Sequence, residues 1–137
     1  MITEADYVGP WFKSPDWTDH RKDNADKLLD ACSRLEAIMI DDGIDFPINP
    51  ATHSGVSGKT YGGFRPQNCP QGAPHSNHKE GLAVDRWDPL NKIDAWCMNH
   101  LDKLEECGIW IEHPDSTPGW SHWQCVPPKS GKRVFNP

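Results

Sequence analysis

His78, Asp85 and His122 have the side chains that a hydrolytic metal ion uses as ligands. Such a zinc ion takes three protein ligands from His, Asp, Glu or Cys and keeps one position open for water. Between the first two residues lie Gly81 and Ala83, which are small enough to allow a turn and a close backbone approach to a metal. The pattern predicts a metal site in which His122 supplies the third ligand from a distant strand.

The sequence around Asp85 and His122 favours buried ligands. Asp85 follows the apolar residues 82–84, so its carboxylate would leave a strand beside the core and would need a partner there. Trp120 and Trp123 flank His122, and their rings would exclude water and stiffen its surroundings. The alternative is that the three residues are unrelated, each exposed on the surface or hydrogen-bonded in the core.

A longer pattern supports the metal site. Residues 76–85 (SNHKEGLAVD) resemble the S-x-H-x-x-G-x-A-x-D signature of the D-Ala-D-Ala carboxypeptidase and L-alanyl-D-glutamate endopeptidase family of zinc peptidases, which shares its fold with the hedgehog signalling domain. Residues 60–66 (TYGGFRP) are similar to the family's S-G-Y-R-S/P segment, and residues 120–123 (WSHW) to the segment with the last His ligand. The resemblance covers about residues 57–125 and extends to small phage-encoded proteins of this type.

The resemblance implies roles for four residues. His78, Asp85 and His122 would bind Zn²⁺, although this ligand set is also compatible with neighbouring divalent metals. Arg65 would bind a carboxylate or carbonyl of the substrate. Its planar guanidinium suits such a bidentate, hydrogen-bonded contact.

The general base is the residue that the resemblance does not supply. Many members of the family carry Asp or Glu three residues before the last His, and this chain has Gly119 there. Peptide cleavage still needs a proton acceptor for the attacking water. The nearest carboxylates in sequence are Glu112 and Asp115, and each is either the base or a solvated loop acid. His75 and His113 lie near the candidate ligands in sequence. We expect each of them either to contact a ligand without binding the metal or to lie on the protein surface.

Two functions agree with these residues. The first is a zinc-dependent peptidase that cleaves peptidoglycan stem peptides, as a phage endolysin or a virion-associated wall hydrolase. The second is a non-catalytic metal-binding structural or wall-binding module of a phage on the same fold. The missing acid at Gly119 and the acidic composition favour the second.

Composition limits the other possibilities. A length of 137 residues and a net charge of −6 predict one domain, 1–137, and exclude a basic nucleic-acid-binding surface. Residues 1–17 would form an N-terminal packing arm and residues 126–137 a C-terminal tail.

The five cysteines contain no CxxC pair, so they predict buried thiols. We expect a monomer that does not contact a membrane. We also expect no signal peptide, so the protein would stay in the cytoplasm of the producing cell. It would then act at the cell wall after release, or be carried in a virion.

The remaining pattern predicts an α+β fold with two main helices and a small antiparallel sheet, like that of the hedgehog and D-Ala-D-Ala peptidase domains. Apolar residues recur at helical spacing in 24–42 and again in 91–108. Strands are predicted at 82–87, 109–113 and 121–126, with residues 114–120 as the turn between the last two.

Overall fold

The computed structural model describes residues 1–71 and 76–137, so His75 lies outside the described part of the chain. Within these ranges the chain forms an α+β fold of four α-helices and four strands. The helices are α1 (Glu4–Val8), α2 (Asp19–Asp41), α3 (Lys92–Met98) and α4 (Leu101–Cys107). The strands are β1 (Ala83–Trp87), β2 (Trp110–Glu112), β3 (Trp120–Gln124) and β4 (Val134–Phe135).

The strands form one open sheet in the order β1-β3-β2-β4. β3 pairs antiparallel with both β1 and β2, as predicted, but β4 pairs parallel with β2, so the prediction of a purely antiparallel sheet is wrong. The reason is the course of the tail: after β3 the chain turns around Pro128 to Gly131 and returns along the outer side of β2.

The helices differ from the predicted ones at their ends. α2 begins five residues earlier than the periodicity indicates, because the Thr18 side chain accepts a hydrogen bond from the Arg21 backbone N–H and caps a polar first turn. The segment predicted as one helix over 91–108 forms α3 and α4. It breaks at His100, whose φ of −138° is not helical and whose ring stacks on Trp96 with centroids 4.0 Å apart.

The core lies between α2 and one face of the sheet. Leu28, Leu35 and Met39 of α2 are fully buried in the same cluster as Val84 and Ile111 of the sheet. Burial of such side chains stabilises the fold by about 1.5–3 kcal/mol each. The opposite face of the sheet is therefore free to hold polar side chains.

A buried ion pair joins the helix to the sheet inside this core. The Arg86 guanidinium on β1 bonds the Glu36 carboxylate on α2 and lies over the rings of Phe46 and Trp123, 4.7 and 4.8 Å from their centroids. Arg86 directly follows Asp85 in β1. The Arg86–Glu36 ion pair therefore holds the strand next to the residue whose side chain is a candidate ligand.

None of the described helices is both long enough and apolar enough to cross a membrane.

Candidate metal centre

One row of side chains crosses the sheet on the face away from the core. Asp85 on β1 is the register partner of His122 on β3. The β2–β3 register pairs Ile111 with Trp123, so the next residue of β2, Glu112, lies opposite His122. Glu112 in turn pairs with Phe135 on β4. Because alternate residues of a strand face the same side, these side chains lie together on one surface.

His78 reaches this row from the turn that precedes β1. The Ser76 hydroxyl accepts a hydrogen bond from the His78 backbone N–H at 3.2 Å, which orders the start of the turn. Gly81 closes the turn with φ +77°, and a Cβ there would lie 2.6 Å from the Arg21 carbonyl oxygen. A side chain at this position is therefore excluded by both conformation and space.

The three candidate ligands converge. His78 Nε2 lies 3.2 Å and His122 Nδ1 lies 3.0 Å from Asp85 Oδ1. All three residues are buried, and one ligand atom from each lies within 4.8 Å of the others, so the group could hold a metal ion. Among the described residues no other set of three His, Cys, Asp or Glu side chains meets this condition.

Hydrogen bonds on the far sides of the two rings set their tautomers. His78 Nδ1 lies 2.9 Å from the Gly63 carbonyl oxygen, which can only accept, so Nδ1 carries the hydrogen. His122 Nε2 lies 2.8 Å from Gln124 Oε1. The Gln124 amide donates its own N–H to the Val126 carbonyl at 2.8 Å, which turns the amide oxygen towards His122. His122 Nε2 therefore also carries a hydrogen.

These bonds leave three electron-pair donors facing one another. Neutral His78 presents the lone pair of Nε2, neutral His122 presents the lone pair of Nδ1, and both point at a carboxylate oxygen of Asp85. Three such atoms repel one another in a buried site unless a proton or a cation lies between them. The orienting bonds from Gly63 and Gln124 are of the kind that holds metal-binding imidazoles in proteins.

The electrostatics agree with this description. Burial alone would raise the pKa of Asp85, but the charge of His78 and the hydrogen bonds from His122 and His78 hold it well below its usual range. Burial lowers the pKa of His78. Burial also opposes protonation of His122, but the hydrogen bond and charge of Asp85 raise the pKa of His122 above its ordinary value. The two imidazole pKa values are thus shifted in opposite directions, which makes His122 the ring that takes up a proton more readily, and a metal ion would compete with that proton.

Arg65 lies at the site and bonds the candidate ligand itself. Its Nη2 donates to Asp85 Oδ2 at 3.1 Å and its Nε donates to the Tyr61 carbonyl at 2.7 Å. The bond to Oδ2 leaves Oδ1 as the carboxylate oxygen that faces the two imidazoles. Arg65 also lines the adjoining cavity, where the rest of its guanidinium can reach a bound molecule.

The two candidate bases have different surroundings. Glu112 Oε1 lies 3.7 Å from His122 Nδ1, and burial raises the pKa of Glu112 while the charge of His122 partly offsets this. The Asp115 side chain is 92% exposed and lies 3.6 Å from His113 Nδ1. In the part of the chain that the structure describes, Glu112 lines the cavity beside the ligands and Asp115 does not. Of the two candidate bases, Glu112 is therefore the one whose carboxylate lies beside the candidate ligands.

Gly119 has a conformational reason to be glycine. Its φ is +84°, in the left-handed region, and its N–H donates to Asn91 Oδ1 at 2.9 Å in the turn before β3. A carboxylate side chain at this position would carry the strain of that conformation. Although position 119 is glycine, the neighbouring strand β2 places the Glu112 carboxylate opposite His122, 3.7 Å from Nδ1.

A cavity of about 720 Å³ opens over the three ligands. Its walls include Arg65, Glu112 and Trp120, and the C-terminal residues Lys129 and Phe135 close one side. Two imidazoles and one carboxylate at the floor of an open cavity form a donor set that fits a catalytic Zn²⁺ with one free position. Sequence patterns did not point to Gly63 or Gln124, although Gln124, two residues after His122, is on the same face of the strand.

Replacing Gln124 by Ala should weaken zinc binding about 10- to 100-fold, because the His122 ring loses the bond that sets its tautomer. Competition with a chelator of known affinity measures this change. The matched control is Gln67→Ala, whose side chain is exposed. If both variants bind zinc as tightly as the unchanged protein, the Gln124 amide does not orient a ligand.

Comparison of the chain with protein-family models, with curated proteins and with solved structures found no match in any of the three.

Proposed function

We propose that the protein is a zinc-dependent peptidase that cleaves peptidoglycan stem peptides, as a phage endolysin or a virion-associated wall hydrolase. The observation that carries the proposal is the convergence of His78 Nε2, Asp85 Oδ1 and His122 Nδ1 at the floor of an open cavity. The resemblance of residues 76–85 to the signature of the D-Ala-D-Ala carboxypeptidase and L-alanyl-D-glutamate endopeptidase family supplies the substrate class. On this proposal the fold is of the hedgehog and D-Ala-D-Ala peptidase type.

The proposed reaction uses three groups of the chain beside the metal ligands. A zinc ion bound by the triad would polarise the scissile carbonyl and lower the pKa of the attacking water. Glu112 takes a proton from that water while the water oxygen bonds to the carbonyl carbon. The C–N bond then breaks, and Glu112 gives the proton to the leaving nitrogen. Burial raises the pKa of Glu112, which makes its carboxylate a stronger proton acceptor than an exposed one.

Arg65 and Trp120 would position the substrate. Arg65 is held by Asp85 and Tyr61 on one side of its guanidinium, and in this proposal its remaining N–H groups donate to a carbonyl or carboxylate of the peptide. Trp120 lines the cavity and can pack against the peptide backbone. Holding the peptide at two points aligns the scissile bond with the water.

The second candidate is a metal-binding module of a phage particle without catalytic turnover. Gly119, at the position of the family's usual acid, favours it. So does the Arg65–Asp85 bond, because a guanidinium already paired at 3.1 Å has fewer N–H groups for a substrate. On this alternative the metal stabilises the fold or a contact with the wall.

One experiment separates the two candidates. The purified protein is assayed for metal and is then added to isolated cell-wall sacculi while turbidity and released amino groups are followed. The peptidase predicts about one zinc per chain and a steady release of amino groups. Bound zinc without any release, under conditions in which a known wall peptidase is active, would refute the peptidase and support the module.

A further inference from the structure

Tyr7 on α1 bonds two segments that lead to the candidate metal centre, and its side chain is buried. Its hydroxyl donates to the Ala83 carbonyl at 2.9 Å, at the first residue of β1. Its backbone carbonyl accepts a hydrogen bond from the Phe64 N–H at 3.0 Å. The two polar groups of this one residue therefore connect the start of β1 with the segment around Phe64.

The segment that bonds the Tyr7 carbonyl is the one that orients His78. A Cβ on Gly63 would lie 2.0 Å from the Tyr7 carbonyl oxygen and 3.2 Å from the Tyr7 Cα, so the two backbones are in contact. The Gly63 carbonyl oxygen lies 2.9 Å from His78 Nδ1, and the Arg65 N–H donates to the His78 carbonyl at 3.2 Å. A shift of α1 would therefore move the acceptor that sets the His78 tautomer.

The Tyr7 hydroxyl acts on the strand that carries Asp85. β1 is an edge strand, and its outer backbone groups are bonded by residues from outside the sheet. The Asp85 N–H donates to the Gly62 carbonyl at 2.7 Å, and the Asp85 carbonyl accepts from the Ser57 N–H at 2.8 Å. The Tyr7 hydroxyl bonds the same edge two residues earlier, at Ala83. Loss of this bond would leave a buried carbonyl without its donor next to the candidate ligand.

We propose that Tyr7 is a positioning residue of the candidate metal centre, because it fixes β1 and the Gly63 carbonyl relative to each other. Asp85 is carried by the first of these parts and His78 is oriented by the second, so the 3.2 Å between His78 Nε2 and Asp85 Oδ1 depends on the docking of α1. The inference rests on the proposed zinc site and does not depend on catalysis. By thermodynamic linkage, docking of α1 and binding of zinc stabilise each other by the same factor.

Tyr7→Phe tests the inference, because it removes the hydroxyl and keeps the ring. We expect zinc affinity, measured by competition with a chelator, to fall about three- to tenfold, since one buried hydrogen bond of the strand is lost while all candidate ligands remain. Thermal unfolding is followed with and without zinc. The rise in Tm that zinc causes reports affinity separately from the stability of the metal-free fold, and it should be smaller in Tyr7→Phe.

Two controls separate positioning from simple loss of stability. Tyr61→Phe makes the same chemical change at the other tyrosine of the chain, and Ile93→Val trims a buried side chain of α3 without removing a hydrogen bond. Both should bind zinc as tightly as the unchanged protein. Full zinc affinity in Tyr7→Phe, or an equal loss in Ile93→Val, would overturn the inference and leave the metal centre standing. An unchanged protein that binds no zinc would refute the metal centre and the inference with it.

Amide hydrogen exchange tests the same linkage without a substitution. The Phe64 N–H is released when α1 undocks, so zinc should slow its exchange by about threefold or more. The control is the Lys103 N–H, which bonds the His100 carbonyl at the start of α4 and should exchange alike in both states. Equal exchange of the Phe64 amide with and without bound zinc would contradict the role of Tyr7.

Discussion

Replacing His122 by Ala is expected to abolish zinc retention. The substitution removes one of the three candidate ligands and leaves only His78 and Asp85. Losing a single outer partner of a ligand already costs about 10- to 100-fold in metal affinity, so losing a ligand should cost more than that range. Metal analysis after dialysis should fall from about one zinc per chain to a trace.

The control for this variant is His20→Ala, which makes the same chemical change at an exposed position of α2. It should keep its zinc. Because His122 is buried, far-UV circular dichroism must show that the variant is folded, and His122→Asn offers a replacement with a smaller loss of volume. Unchanged zinc content in a folded His122 variant would remove this residue from the ligand set.

Replacing Glu112 by Gln is expected to keep the zinc and to lower kcat about 100- to 10,000-fold. Gln has nearly the same shape as Glu but cannot take up a proton, and a positioned general base contributes an effect of this size. Glu112 lies 3.7 Å from His122 Nδ1, close enough to reach a water molecule beside the ligands. Initial rates of peptide cleavage, with zinc content measured on the same samples, check the prediction.

Asp115→Asn is the matched comparison, because Asp115 is the other carboxylate that the sequence allows and its side chain is in solvent. It should cleave at the rate of the unchanged protein. A large loss of cleavage rate in Asp115→Asn, with a normal rate in Glu112→Gln, would make Asp115 the general base in place of Glu112. Normal rates in both would leave the proposed reaction without a base and would favour the non-catalytic module.

The sequence was most informative about the side chains that face the site. The apolar residues 82–84 predict that the Asp85 carboxylate leaves a strand beside the core, and in the structure Val84 pairs with the core residue Trp123 while Asp85 pairs with His122. The turn before β1 depends on Gly81, whose small size the sequence shows directly. Local patterns of this kind can be read without knowledge of the rest of the fold.

The position of Glu112 could not be read in this way. Whether Glu112 or Asp115 lies near His122 depends on the register of β2 against β3, and a shift of one residue would turn Glu112 to the other face. The intervening turn contains a short 3₁₀ helix, Pro114–Ser116, that carries Asp115 away into solvent. Register is set by packing between strands distant in sequence, so it becomes visible only in the fold.

Two further parts of the site come from contacts that are far apart in sequence. The Gly63 carbonyl orients His78 only because α1 packs against this segment, where a Cβ on Gly63 would lie 2.0 Å from the Tyr7 carbonyl oxygen. β4 has two residues and follows a polar tail, so it lacks the alternation by which strands are recognised. Its Phe135 nevertheless lies beside His122, with ring centroids 6.0 Å apart.

We propose that His78, Asp85 and His122 bind one divalent cation, and the structure of a crystal grown with zinc tests this most directly. Anomalous scattering at the zinc edge should give one peak about 2.0–2.2 Å from His78 Nε2, His122 Nδ1 and a carboxylate oxygen of Asp85. A map with no peak between these atoms, in which His122 Nδ1 remains about 3.0 Å from Asp85 Oδ1 in the presence of zinc, would contradict metal binding by this group.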